Sequence, residues 1–336
     1  MGHGPGAVED MEINSWKNRS VLITGATGLV GCWLMHRLIA AGAQVTVLVQ
    51  DVHGRSPFLD HVAHKDVHCF YGNLEDLTIV EKALLISGAD TFFHLGAQTI
   101  VGNALSSPWI TFESNVRGTY NLLEACRRQG KSVKAVVVAS SDKAYGDSAQ
   151  LPYTENMPLN GIAPYDASKV CTEVIARSYT QTYGLPVIVA RCGNIYGGGD
   201  LNFSRLIPGT IKSLLFDQAP IIRSDGTFVR DYVYVKNVAE VYMKLAQLAH
   251  QGRSVGEAFN YSDDMPKTVI EIVTHITRLM GKEHLKPVIQ NSVVHEIHDQ
   301  HLSSAKLRGT VDCGQLSDLD AALTETIGWY REFFRK

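Results

Sequence analysis

No two cysteines of this 336-residue chain lie closer than 21 residues, so it has neither a CxxC pair nor a zinc-ribbon spacing. Several of the six (Cys32, Cys69, Cys126, Cys171, Cys192, Cys313) fall inside apolar runs, which predicts buried free thiols in a reducing cytoplasm. No apolar stretch reaches the roughly 18 residues that a spanning helix needs. Neither sign of charge dominates: Lys+Arg 31 against Asp+Glu 34 leaves −3. That balance argues against a general nucleic-acid binder, whose footprint is a basic excess, but leaves room for a local anion site. The first 18 residues are Gly-rich and acidic, without the basic and apolar regions of a signal peptide, and predict a flexible leader. Internal repeats and low-complexity tracts are also missing. Apolar residues make up 45% of the chain, enough at this length for a core that needs no disulfide or metal.

Past that leader, strand, glycine loop and helix alternate. Short β-rich runs at 20–24, 44–49, 67–71, 91–95, 134–139 and 186–190 are separated by helical patterns, notably 29–41, 111–130 and 165–183. Such alternation predicts right-handed βαβ crossovers and a doubly wound parallel sheet, the Rossmann form of α/β fold. From Asn194 the rhythm loosens. Helical patterns over 206–216, 238–250, 269–280 and 319–335 surround strand-like runs at 229–235 and 259–261, the latter expected to return to the parent sheet. The expected organisation is a dinucleotide-binding domain over 19–193, joined by about 236–262. A smaller interleaved α/β substrate-binding domain would take 194–235 and 263–336.

Gly25-Ala-Thr-Gly28-Leu-Val-Gly31 follows the first strand and opens the first helix. Gly25 permits the tight turn, Gly28 lets the backbone approach a pyrophosphate, and Gly31 lets helix and strand pack closely. The helix N-terminus adds partial positive charge. Asp51 stands 20 residues after Gly31, a step or two beyond the second strand's end, where a carboxylate holds ribose hydroxyls. A solvated loop carboxylate is the alternative. No arginine sits at that strand end to receive a 2′-phosphate, although Arg55 is near, which favours NAD over NADP.

Tyr165 and Lys169 lie one helical turn apart on one face. A nearby ammonium and a bound nicotinamide cation both favour phenolate, which makes Tyr165 a base for an alcohol proton. Ser141, just past the strand over 134–139, is placed to hydrogen-bond the substrate hydroxyl and steady the tyrosine.

These residues resemble the extended short-chain dehydrogenase/reductase family, and within it the nucleotide-sugar epimerase/dehydratase branch. The resemblance runs from Trp16 to the C-terminus through Gly25/Gly28/Gly31, His94–Ala97, Asn115–Thr119, Ser141, Tyr165/Lys169, Arg191–Gly197 and Arg230–Val235, in family order. It implies that Thr27, Leu29 and Val30 join the glycines on the cofactor diphosphate. Asn73, Leu74, Leu95, Ala97 and Thr119 would lie elsewhere along the cofactor, with Tyr165 and Lys169 at its reactive end. Gln98, Asn194, Arg205, Leu206, Arg230 and Asn260 would hold a nucleotide-diphosphate sugar. Arg230 suits that task physically, as a fixed charge with a phosphate-matching fork. The resemblance further implies a homodimer built through the helices at 111–130 and 165–183, with no nucleic-acid or membrane partner.

The most informative detail is Ser141-Asp142-Lys143. The 4-epimerases of the family tend to carry small or nonpolar residues after the serine. Sugar 4,6-dehydratases place an acid and a base there, because a C5 proton must leave and the C6 hydroxyl must depart protonated. The dTDP-glucose enzymes use an Asp-Glu pair. Asp142-Lys143 followed by Ala144-Tyr145-Gly146 is more similar to the CDP-glucose 4,6-dehydratases, as are Gly197–Asp200 and Arg205–Pro208. On this reading Lys143 is the C5 base, its pKa lowered, and Asp142 the acid, its pKa raised, both on a loop that turns them inward. Gln300 and His301 depart from the pattern, standing where related dehydratases often place a substrate-binding arginine. The reaction implied is NAD-dependent conversion of an NDP-hexose to its 4-keto-6-deoxy form. A UDP-sugar 4-epimerase and a catalytically silent nucleotide sensor are the alternatives.

Two histidine patterns are set aside as metal sites. His68 of His61-x-x-His64-x-x-x-His68 belongs to a strand, and His295-Glu296-Ile297-His298 is one residue short of HExxH. No metal is expected.

Overall fold

The computed structural model describes residues 15–50, 67–292, 296–314 and 317–335. β1 (Ser20–Thr24) runs into α1 (Leu29–Ala40), followed by β2 (Gln44–Val49), β3 (Val67–Tyr71), α2 (Leu77–Ser87) and β4 (Thr91–His94). Two short helices, α3 (Val101–Ser106) and α4 (Pro108–Phe112), lead through a π-turn at Glu113–Arg117 into α5 (Gly118–Gln129). β5 (Ala135–Ala139), α6 (Pro164–Tyr183) and β6 (Val187–Cys192) follow. The remainder holds β7 (Asn194–Tyr196), α7 (Leu206–Leu215), β8 (Ile221–Ile222), β9 (Val229–Arg230), β10 (Tyr232–Tyr234) and α8 (Val235–His250). It closes with β11 (Ala258–Tyr261), β12 (Lys267–Thr268), α9 (Val269–Leu279), β13 (Val288–Ile289), β14 (Asp299–Gln300), α10 (Ala305–Thr310) and α11 (Leu319–Phe333).

Seven strands form one parallel sheet in the order β11-β6-β5-β4-β1-β2-β3. Its central strands lack polar alternation because helices cover both faces. Along β1, Val21 and Ile23 pack with Leu34, Met35 and Leu38 of α1, while Leu22 packs with Val80 and Leu84 of α2 and Leu122 of α5. The strand order reverses between β1 and β4, and in such sheets the crevice at the strands' carboxyl ends is where ligands bind. β11 returns to the sheet beside β6 as the sequence predicts. A third core joins Ile207 and Ile211 of α7, Ile272 and Ile276 of α9, and Leu323 and Ile327 of α11.

Two sequence expectations need correction. The single strand expected over 229–235 is two strands in different sheets: β9 lies between β12 and β14, whereas β10 pairs with β7. Between them Asp231 is fully buried, and its Oδ2 accepts a 2.6 Å bond from the Leu302 amide. α8 accordingly starts at Val235, three residues ahead of the apolar period. The single helix expected over 111–130 is also broken, by the π-turn, an irregularity that often marks functional sites. Asn115 inside that turn accepts from the Gln98 amide at 2.7 Å and donates to the Gln98 carbonyl at 3.0 Å and to Ser168 at 2.8 Å. It thereby ties the loop after β4 to α6.

Candidate active site

The first turn of α1 has the geometry of an anion site. Gly25 turns at φ +75°, and a Cβ there would meet the Gly96 amide and the Leu95 carbonyl carbon at 2.7 Å, across the gap between β1 and β4. A Cβ on Gly31 would stand 2.2 Å from the Gly25 carbonyl oxygen. The Gly28 cap makes no side-chain hydrogen bond to the helix, and the first turn carries no acid. Its amides are therefore left to a ligand, and the helix dipole favours a negative one. These residues fit a dinucleotide diphosphate over Gly25, Thr27, Gly28, Leu29 and Val30.

Further along the crevice, Leu74 packs against Gly96 and Gly118, and Leu95 against the core under β1. Asn73 is exposed on the loop that follows β3, and Ala97 is half-buried on the loop that follows β4. Thr119 is turned inward: it receives His94 Nε2 at 3.0 Å and donates to the Asn115 carbonyl. His94 Nδ1 lies 2.9 Å from Thr24 Oγ1. Burial, with the Lys169 charge adding to it, draws this histidine down to about 3, so it stays neutral. Asp51, Arg55, His61 and His64 lie outside the described residues, as does His295.

The candidate catalytic residues come together where β5 ends. Ser141 caps the 3-10 turn Asp142–Tyr145, accepting from the Lys143 amide at 3.3 Å and donating to Asp142 Oδ1 at 2.9 Å. The two adjacent side chains both turn inward on this loop, as expected. Asp142 is 2% exposed with Oδ2 unpaired, and Lys143 Nζ donates to Gln300 Oε1 at 2.9 Å. Opposite, α6 starts at Pro164, whose fixed φ suits the first helical position. That start places Tyr165 in hydrogen-bonding reach of Ser141. Lys169 Nζ donates to the Ala139 carbonyl at 2.8 Å and lies 6.0 Å from the Tyr165 ring centroid.

Electrostatics corrects one expectation. The chain itself does not pull the Tyr165 phenol toward neutrality. Burial pushes it up to about 12, against the Ser141 hydrogen bond, and Asp142 pushes the same way. Lys169 is drawn down to about 8 by burial, opposed by Glu173. Tyr165 therefore needs positive charge beyond what the chain alone supplies.

A polar network that sequence reading missed backs this wall. Arg191 forks onto Glu173 with bonds of 2.6, 2.8 and 3.1 Å and gives 2.6 Å to the Tyr145 hydroxyl, which donates at 2.7 Å to Asn260 Oδ1. Asn260 is fully buried and also donates to the Tyr153 carbonyl at 3.0 Å. Asn194 is half-buried with its amide nitrogen unpaired. Gln98 bonds within its own loop, to the Ile100 amide and carbonyl. Arg205 pairs with Asp200 at 2.9 Å just ahead of Leu206, the first residue of α7. Arg230 spends its terminal nitrogens on the Ile297 and His298 carbonyls at 2.6 and 2.7 Å and on Glu296 at 2.9 Å. Among the described residues no cluster of His, Cys, Asp and Glu could hold a metal ion.

A parallel sheet with a glycine cradle and a Ser-Tyr-Lys set defines a nicotinamide-dependent short-chain dehydrogenase/reductase scaffold. The chain belongs to the NAD dependent epimerase/dehydratase family, whose model matches residues 21–261. It is 29% identical to the CDP-glucose 4,6-dehydratase of Salmonella typhimurium, over 96% of this chain and 93% of that one. Among solved structures it is similar to the dTDP-glucose 4,6-dehydratase of Streptomyces venezuelae with NAD bound: TM-score 0.85, 26% identity, 93% and 97% of the two chains. The UDP-glucose 4-epimerase of Thermus thermophilus in complex with NAD superposes with TM-score 0.82 at 27% identity, over 93% and 98%.

Proposed function

We propose that this protein is an NAD-dependent sugar-nucleotide 4,6-dehydratase that takes a CDP-glucose-like substrate. The observation that supports the reading is the 3-10 turn after β5, which carries a buried carboxyl hydrogen-bonded to Ser141 and, next to it, a lysine amine held by Gln300. An epimerase needs only Ser141 and Tyr165. NAD, when bound, supplies the hydride acceptor for C4 and later the hydride donor for C6, with a positive charge beside Tyr165. Tyr165 takes the O4 proton, steadied by Ser141. Lys143 removes the proton at C5, now acidic beside the 4-keto group. Asp142 gives its proton to the C6 hydroxyl, which leaves as water. The cycle is redox-neutral, so the cofactor need not exchange between turnovers. Asn194, Arg205 and Arg230 are the candidate contacts of the substrate diphosphate and Gln98 of the sugar, while Asn260 acts through Tyr145.

The test is product analysis against CDP-, dTDP-, UDP- and GDP-hexoses in D₂O. A 4-keto-6-deoxy sugar carrying deuterium at C5 is expected, with the CDP sugar turned over fastest. Lys143→Met should stop deuterium entry while a 4-keto sugar retaining its C6 hydroxyl accumulates. Interconversion of C4 epimers without water loss would give the site to the epimerase reading instead.

The same reading includes a homodimer and a cytoplasmic enzyme. Six free thiols suit a reducing compartment. Trp109 and Ile110 of α4, Val174 and Tyr183 of α6 are each at least half exposed, an apolar surface that suits burial against a second copy. Light scattering at micromolar concentration should give twice the chain mass, and a monomeric mass would end the proposal.

A further inference from the structure

Gln300 is fully buried on β14, in register with Arg230 of β9. Its Oε1 accepts from Lys143 Nζ at 2.9 Å, and its Nε2 has no partner. Because an ammonium only donates, the amide must turn its oxygen to the lysine, which leaves the nitrogen unpaired. A buried, half-satisfied amide is a poor packing residue, and an apolar side chain of similar size would cost less. The segment that carries it is held rigidly. Arg230 clamps the carbonyls of residues 297 and 298, Asp231 holds the Leu302 amide, and Tyr153 bonds the His301 carbonyl and the Ser303 amide at 2.9 Å.

We propose that Gln300 is the positioning residue of Lys143: it fixes where the amine points without adding charge. The proposal rests on the reading of Lys143 as the C5 base. A base acting on carbon needs direction, because a misplacement of an ångström slows such a step severely. It also needs an available lone pair. A carboxylate at residue 300 would give direction but favour the ammonium, whereas an amide oxygen gives direction alone. Charged groups around Lys143 include Asp142 on the same turn, Asp166 in the first turn of α6 and, on β9 opposite Gln300, Arg230. A Cβ on Gly161 would stand 2.8 Å from Asp166 Cβ and 2.9 Å from the Lys143 carbonyl oxygen. Burial pushes Asp166 up to about 6, against the Lys143 charge, so at lower pH this neighbour is neutral. Gln300 is the uncharged partner at every working pH.

The experiment uses the full chain with NAD and the hexose that it dehydrates best, in D₂O. Gln300→Met, matched in length but with no acceptor, should lower kcat for C5 exchange about 10- to 100-fold with KM little changed. The 4-keto sugar that retains its C6 hydroxyl should build up. Gln300→Glu should restore direction yet move the pH of half-maximal C5 exchange upward by about 1 unit or more. A purely structural role would slow C4 oxidation equally and leave the pH profile in place, and that pattern overturns the proposal. So does wild-type exchange in both variants. If the wild type loses no water, or Lys143→Met keeps full activity, the dehydratase reading itself has failed. If Lys143→Met is inactive and the Gln300 variants are normal, only the positioning role falls.

Discussion

Tyr165→Phe is expected to lower turnover about 10²–10⁴-fold, the range for loss of a general base, while NAD still binds nearly as before. The substitution removes one hydroxyl from a ring that is 8% exposed and packed at the start of α6, so the backbone and the cradle over α1 have no reason to move. What disappears is the hydroxyl proposed to accept the O4 proton. Its position beside Ser141 is built, but ready access to phenolate is not, since burial, with Asp142 pushing the same way, raises the phenol to about 12. On the proposed reading, the nicotinamide charge would add to that of Lys169, already in place, to make phenolate accessible. Lys169→Ala should therefore damage both rate and NAD affinity, unlike Tyr165→Phe. Single-turnover oxidation at C4, measured beside calorimetric NAD binding, separates the two effects. Turnover above about one per cent of wild type in Tyr165→Phe would give the proton to another group.

The parts of this site that were readable in the chain are those whose chemistry is local. Gly25, Gly28 and Gly31 sit in one turn, and Tyr165 and Lys169 sit in one helical turn, so spacing carries their meaning. Asp142 and Lys143 are likewise neighbours in sequence, and the 3-10 turn is the local device that aims both inward. What was not readable depends on distant partners. Lys143 meets Gln300 across 157 residues, and Asp231 meets Leu302 across 71. Gln300 drew notice only as a departure from family pattern, with no sign of what it touches. The break in the 229–235 run was hidden because Asp231 looks polar enough to face solvent. Its burial is set by the segment around Leu302, which the run itself does not encode. Tyr165 was read as an acidified phenol because its cation was visible one turn away, whereas the desolvation that outweighs it comes from the whole fold.

Glu173→Ala should be the most damaging single change away from the reacting atoms, costing about 3–5 kcal/mol of stability. Glu173 and Arg191 are each only 7% exposed, and the carboxylate receives the guanidinium at 2.6, 2.8 and 3.1 Å and the Ser140 hydroxyl at 2.5 Å. Removing it leaves a buried cation with the Tyr145 hydroxyl as its remaining partner in this network. In a chain this long each kcal/mol moves the unfolding midpoint by about 2–4 °C or less, so a drop on the order of 10 °C is expected. The loss reaches function by two routes. Tyr145 ends the turn that carries Asp142 and Lys143, so a loosened Arg191 loosens the proposed acid and base together. Glu173 also opposes the burial that depresses Lys169, so without it that lysine loses charge more readily and Tyr165 loses its cation. Replacing both partners, Glu173→Leu with Arg191→Met, should recover much of the stability, because a buried pair exchanged for apolar groups leaves no orphaned charge. Activity should stay low in the double variant, since neither the turn nor Lys169 regains its support. Equal melting of Glu173→Ala and wild type, or a double variant less stable than either single one, would show that the pair is a bystander to the fold.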